Sequence, residues 1–283
     1  MRVRGLAVHL TRWGPAADAD SPVVLLHGFQ DTGETFPFLV DAFARDRPLV
    51  APDWRGFGRS DFAPEGYWFP DYLADLDVLL DTLSPGRPVR LVGHSMGGNV
   101  ASLYAGLRPE RVRCLVNLEG LGLPRTLPEQ APARLTLWLD QLKETPAVKS
   151  YASFEELAGL IRRRYPRFGE ARSRFIAGAW GRLGADGRVH LVGDARHRRA
   201  NPVLYKREDA EAVWRKIRSP MLMLLGAESS SVARLGADGT DEAWRAIVPG
   251  IELAHIAEAG HMLHIEQPGR IAPPIERFLD AHA

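Results

Sequence analysis

Apolar positions along this chain follow two rhythms. Runs rich in aliphatic and β-branched residues at 22–26, 48–51, 88–92, 112–118, 220–226 and 251–256, three of them broken by polar residues such as Arg90, Arg113 and Glu252, have the length of buried strands. Between them apolar residues recur every three or four positions, as on one face of a helix. Tyr72, Leu73, Leu76, Leu79, Leu80 and Leu83 mark a helix over 69–83. Val100, Leu103, Tyr104 and Leu107 mark another after residue 95, and Phe36, Leu39, Val40 and Phe43 a third over 32–44, with Thr32 as its cap. A short helix over 240–247 and a closing helix to about residue 281 complete the set. Residues 5–13 predict an opening strand or hairpin arm, and 14–21 a loop. Strands with helices between them predict an α/β fold with a doubly wound, mostly parallel sheet.

The rhythm changes between about 121 and 220. Leu135, Leu137, Trp138 and Leu142, then Phe154, Leu157 and Leu160, keep helical spacing, and Pro and Gly interrupt the run. No strand–helix alternation is visible there. The pattern predicts a helical insertion, residues 121–218, within a core made of 1–120 and 219–283.

Chemistry concentrates where one strand turns abruptly into a helix, Leu91-Val-Gly-His-Ser-Met-Gly-Gly-Asn-Val100. It contains G-x-S-x-G. Gly93 and Gly97 leave room for a tight turn that thrusts the Ser95 hydroxyl out at the top of a sheet. The N–H groups opening the next helix point at the same spot, which suits a developing oxyanion. With its strand and helix, this motif resembles the nucleophile elbow of the α/β-hydrolase fold, and matching motifs run from about Val23 to Phe278.

The resemblance implies further assignments. His27-Gly28-Phe29 after the second strand is similar to the family's oxyanion turn, so the backbone N–H groups of Phe29 and Met96 would form the oxyanion hole. The loop Asp53-Trp-Arg-Gly-Phe-Gly-Arg-Ser60 resembles a structural loop of the family. It lacks the G-K-[ST] of a phosphate-binding loop, and no helix begins directly after it. Gly260-His261 resembles the family's histidine loop and makes His261 the base. The insertion resembles the family's helical cap. Some of Trp138, Tyr151, Phe168, Phe175, Trp180, Tyr205 and Trp214 should then line an apolar pocket, the rest forming cap core. His264 and Glu266 could suggest a metal site with His261, but the zinc-protease spacing H-E-x-x-H is absent, and no metal is expected.

The acid departs from the commonest family pattern. Ser229 stands where that pattern has aspartate, and a serine cannot stabilise an imidazolium by charge. Glu228 lies one place early. Glu119 ends an apolar strand one helix and one strand beyond Ser95, where a carboxylate has little reason to be unless paired. A subset of the fold carries its acid at that strand. Glu119 is the expected acid and Glu228 the alternative.

Composition narrows the rest. The chain has 283 residues, 45% hydrophobic and 25% charged, which is ordinary for a globular protein. A net charge of +1 gives no argument for nucleic-acid or membrane partners. Lysines occur only at 143, 149, 206 and 216, so the remaining cations are arginines. The clusters Arg162–Arg164 and Arg196–Arg199 read first as solvated surface, with a contact for an anionic substrate or partner as the alternative. The single Cys114 sits in an apolar run and reads as core. No leader and no membrane span is expected, so the expected location is cytoplasmic.

Ser95 excludes the alkyl-ester chemistry of the fold's dehalogenases and epoxide hydrolases, because a serine alkylated that way would be a stable ether. The expected activity is hydrolysis of a small-molecule carboxylic ester through an acyl-enzyme, without a cofactor. Carbon–carbon bond hydrolysis, amide hydrolysis, acyl transfer and perhydrolysis use the same residues and stay open. So does a ligand receptor that retains the hydrolase shell.

Overall fold

The computed structural model describes residues 1–15, 21–146 and 149–283. Residues 16–20 of the expected 14–21 loop lie outside the described residues. The opening segment makes a two-stranded ribbon, β1 (Arg2–Val3) with β2 (Leu6–Ala7), and then β3 (Leu10–Trp13). Next come β4 (Val23–Leu26), α1 (Pro37–Val40), β5 (Leu49–Pro52), α2 (Phe69–Leu83), β6 (Val89–His94), α3 (Met96–Leu107) and β7 (Val112–Leu118). The insertion contributes α4 (Ala131–Leu142), β8 (Ser150–Tyr151), α5 (Phe154–Arg164), α6 (Gly169–Trp180), β9 (Gly181–Leu183), β10 (Val189–Leu191) and α7 (Arg207–Trp214). The core resumes with β11 (Met221–Gly226), α8 (Ser230–Leu235), α9 (Asp241–Ile247), β12 (Glu252–Ile256), α10 (Leu263–Glu266) and α11 (Pro268–Ala281).

Among the described residues the main sheet has seven strands in the order β12-β11-β7-β6-β4-β5-β3. All pairs are parallel except β3 with β5 at the edge. Side chains alternate between two cores, because successive residues of a strand face opposite ways. Val24, Leu26, Leu91 and Leu115 pack with α2 and α3 on one face. Val23, Leu25, Val92 and Val116 pack against α1 and α11 on the other. Covering both faces makes the strands read as continuous apolar runs. Cys114 lies in the second core, and burial pushes its thiol up to about 12. From β5 the chain crosses β4 to place β6 on its far side. That reversal opens a crevice at the carboxyl ends of β4 and β6, where open α/β sheets bind ligands.

Three expectations need correction. The helix expected over 32–44 is a 3-10 turn at Gly33–Thr35 followed by the four-residue α1, and the Thr32 side chain caps nothing. Pro37 has no N–H to continue the ladder, so the turn ends before it and Pro37 opens α1 at its first position. The insertion is not purely helical. β8, β10 and β9 form a small antiparallel sheet. Its strands are too short for a period-two signal, although Asp186-Gly187 in the β9–β10 turn is a hairpin signature. Finally, α4 buries none of its residues, and its Leu135, Leu137, Leu139 and Leu142 are exposed.

Two contacts fasten the insertion to the core. Arg207 is fully buried; it donates to the Leu121 carbonyl at 3.0 Å, tying the insertion's two ends together, and to the Asp238 carbonyl of the core at 2.9 Å. His197 stacks against Phe57 and Tyr67 of the core, with ring centroids 3.9 and 3.5 Å away. Burial pushes the His197 pKa from 6.5 down to about 4. The unfolded chain therefore binds a proton at 197 over a range where the folded chain does not. Stability from this group is full above about pH 6.5 and falls towards pH 4, by about 3 kcal/mol. Melting temperatures from pH 7 to 4 are expected to fall less steeply in His197→Phe than in the wild type. Parallel curves would remove His197 from the acid response.

Candidate active site

Ser95 sits between β6 and α3 with φ 52° and ψ −113°. Gln30 and Glu119, after β4 and β7, also have positive φ, at 59° and 62°. Such backbone costs about 1–3 kcal/mol per residue and persists where the surroundings impose it. The surroundings here are glycines. A Cβ at Gly93 would come 2.5 Å from the Gly97 carbonyl oxygen, and one at Gly97 would collide with the Leu26 carbonyl.

The structure brings Ser95, His261 and Glu119 together. The Ser95 hydroxyl lies 2.9 Å from His261 Nε2, and His261 Nδ1 lies 3.1 Å from Glu119 Oε2. Glu119 is buried, with its other oxygen accepting the Gly226 N–H at 2.7 Å. The Ser229 hydroxyl donates to Glu119 Oε2 at 2.6 Å. The residue in the usual aspartate's place thus holds the carboxylate that approaches the histidine. Ser231 Oγ is a further neighbour of His261 Nδ1, at 3.2 Å. Glu228 is elsewhere. It is exposed and pairs with Arg167.

The Ser95 N–H is spent on the Leu118 carbonyl at 2.8 Å. Met96 supplies the first N–H of α3, where the leading donors lack intrahelical acceptors. Phe29 and Met96 both line the cavity beside Ser95. Asp53 has a structural part, accepting the N–H groups of Gly33 and Arg59. His27 accepts the Trp54 N–H at 2.9 Å, which fixes the turn below Phe29.

Beneath the histidine lies a group that sequence reading missed. Asp31, His94 and His264 are buried, and one ligand atom of each lies within 4.8 Å of the others. Asp31 Oδ2, His94 Nδ1 and both His264 ring nitrogens have no hydrogen-bond partner among the described residues. His94 Nε2 donates to the His261 carbonyl at 2.8 Å. Burial, with His264 and His261 nearby, holds the His94 pKa well below its ordinary value, so this ring is neutral. This trio differs from the His261–His264–Glu266 pattern, because Glu266 instead accepts the Gly260 N–H at 2.6 Å.

Ser95 opens into a cavity of about 2000 Å³ between the sheet top and the insertion. Of the aromatics expected there, Tyr151, Trp180, Tyr205 and Trp214 line it, while Trp138, Phe168 and Phe175 do not. Trp180 donates from its indole to Asp31 Oδ1 at 2.7 Å. Arg163, Arg164 and Arg198, expected as solvated surface, also line the cavity. The sequence carries a signal for Arg164: Leu157, Leu160, Ile161 and Arg164 share one face of α5.

Comparison with known proteins gives the same fold. A "serine hydrolase-like protein" of Danio rerio is 41% identical over 112 residues, covering 39% of this chain and 33% of that protein. The chain thus spans about a third of that relative's length. The 3-hydroxybutyrate-oligomer hydrolase of Cupriavidus necator is 27% identical over 285 residues, covering 95% of this chain and 92% of that one. Among solved structures, the thioesterase domain from the curacin biosynthetic pathway superposes with a TM-score of 0.81 at 27% identity, covering 98% of this chain and 97% of that one. The family model for the alpha/beta hydrolase fold matches residues 21–268, and the chain belongs to that family.

Proposed function

We propose that the protein is a serine hydrolase that cleaves carboxylic esters through an acyl-enzyme on Ser95. The observation that carries this reading is the unbroken hydrogen-bonded line from Ser95 through His261 to the buried Glu119, at the floor of a large cavity. An unassisted hydroxyl is barely nucleophilic at neutral pH, and a hydrogen-bonded imidazole supplies the missing base. The relatives named as an oligomer hydrolase and a thioesterase both carry names consistent with acyl cleavage.

In this mechanism the Ser95 Oγ attacks the ester carbonyl and its proton passes to His261 Nε2. The carbonyl's electron pair becomes an oxyanion facing the Phe29 and Met96 N–H groups. Collapse breaks the bond to the alcohol oxygen, which takes the proton from His261. Water then attacks the acyl-serine, giving its proton to His261. Collapse releases the acid and returns that proton to Ser95. Glu119 holds the His261 Nδ1 proton and stabilises the imidazolium formed in each half-reaction. The insertion acts as a cap that excludes water and shapes the acyl site, with Leu121, Leu157 and Ile161 among its apolar walls.

The direct test is turnover of a short p-nitrophenyl ester with release of free acid. Activity is expected to survive chelators. Loss of activity on chelation, restored by a divalent metal, would move the Asp31–His94–His264 group into the chemistry and contradict the cofactor-free reading.

A further inference from the structure

The cavity wall is far from neutral in a chain that is nearly so. The whole sequence holds 36 Lys and Arg against 35 Asp and Glu. Of the residues lining the cavity, eight are Lys or Arg and three are Asp or Glu. The three acids are buried and already engaged. Asp31 takes the Trp180 and Thr32 N–H groups, Glu119 the His261 ring, and Asp194 the Tyr67 hydroxyl and Arg196. Arg125 is matched by Glu208, Glu211 and Asp238. Arg164 donates to the Tyr165 hydroxyl at 3.1 Å, while Arg134, Lys149, Arg163, Arg198, Lys206 and Arg234 make no ion pair among the described residues.

These six come from different parts of the chain. Arg134 is on α4, Arg163 on α5, Lys206 just before α7 and Arg234 on α8. They line the cavity from separate elements instead of following one solvated helix face. Arg234 is close to the reacting groups. It donates to Ser231 Oγ at 3.1 Å, and that oxygen lies 3.2 Å from His261 Nδ1. Like charges around a concave wall repel one another and focus a positive potential into the cavity, which an anionic ligand would relieve. The cavity also exceeds what a short ester needs. At about 2000 Å³ it is larger than the roughly 300–1000 Å³ of ordinary small-molecule sites.

Resting on the esterase reading above, we propose that the substrate of this site carries an anionic group. An apolar acyl portion meets Ser95, and carboxylate or phosphate oxygens meet the arginines and lysines of the rim. A carboxylate on the ester itself and the phosphates of a long thiol carrier present the same chemistry to that rim.

Two matched pairs separate these sources. Butanoyl-coenzyme A against butanoyl-N-acetylcysteamine varies the phosphates. Monoethyl adipate against ethyl hexanoate varies the carboxylate. In at least one pair the anionic member is expected to have a kcat/KM about tenfold higher at about 20 mM salt, and the advantage should shrink at about 500 mM as the rim is screened. Combining Arg134→Gln, Arg163→Gln and Arg198→Gln should lower that anionic-to-neutral ratio about fivefold. Melting curves check that the variant folds, and single Arg163→Gln serves if it does not. Equal rates in both pairs without salt dependence would overturn the inference and leave the esterase reading intact. Hydrolysis of no member would count against the esterase reading. The inference is then decided by calorimetry on Ser95→Ala, where salt-sensitive binding of butanoyl-coenzyme A or monoethyl adipate, tighter than its neutral partner, supports it. Absence of such binding overturns it.

Discussion

Replacing Ser95 by alanine is expected to lower kcat for ester hydrolysis by roughly 10⁵- to 10⁶-fold, the largest effect of any single substitution in this chain. The oxygen lost is the one 2.9 Å from His261 Nε2, and no neighbouring hydroxyl can take its place. Ser231 lies on the opposite, Nδ1, side of the imidazole, where it cannot reach a carbonyl held at the elbow. Some rate above that of water should persist, because backbone donors and binding still act on the substrate. Alanine also fits the site. Its Cβ is already present in serine, and the unusual backbone at 95 is imposed by Gly93, Gly97 and the Leu118 carbonyl rather than by the hydroxyl. A melting temperature close to that of the wild type is therefore expected beside the loss of activity. A variant that keeps most of its rate would mean that another group attacks the ester.

The second large effect separates two carboxylates. Glu119→Gln is expected to lower kcat by about 10⁴-fold, and Glu228→Gln to leave it within about twofold. Glutamine keeps the shape of Glu119 but removes its charge, and its amide can turn an N–H towards His261 and favour the wrong tautomer. Glu228 faces solvent beside Arg167, and exposed pairs of that kind contribute little. The surroundings of Glu119 allow a sharper version. Ser229 Oγ is 2.6 Å from the same Glu119 oxygen that contacts His261. Ser229→Asp should therefore bring a carboxylate near the imidazole and restore part of the rate lost in Glu119→Gln. In the wild-type background the same change places two carboxylates together and should raise the pH needed for full activity. A large loss in Glu228→Gln with a near-normal Glu119→Gln would reverse the assignment.

How much of this was legible depended on the length of each signal. α2 and β7 occupy the spans that apolar periodicity predicts, because fifteen residues of helix and seven of buried strand give unmistakable patterns. The sheet's mostly parallel pairing followed from strands alternating with helices. The elements that sequence reading missed are short. β8, β9 and β10 have two or three residues each, too few for any period. The helix at 32–44 shrank to the four-residue α1 because Pro37 has no N–H to carry a ladder on from the turn at Gly33–Thr35. In the site, an acid at 119 could be suspected from a carboxylate ending an apolar strand. The bond from Ser229 to it could not, since a hydroxyl carries no positional signal until the fold brings two loops together. For the arginine clusters an anionic contact was only the second reading, for a similar reason. A run such as Arg162–Arg164 looks the same in sequence whether it faces water or a cavity.

A covalent acyl-enzyme on Ser95 is tested by the site of reaction with a fluorophosphonate, read by mass spectrometry of peptides. A single adduct on Ser95 is expected, formed in step with loss of esterase activity and sharply slowed in Glu119→Gln. An adduct elsewhere, or complete loss of activity with Ser95 unmodified, would contradict it.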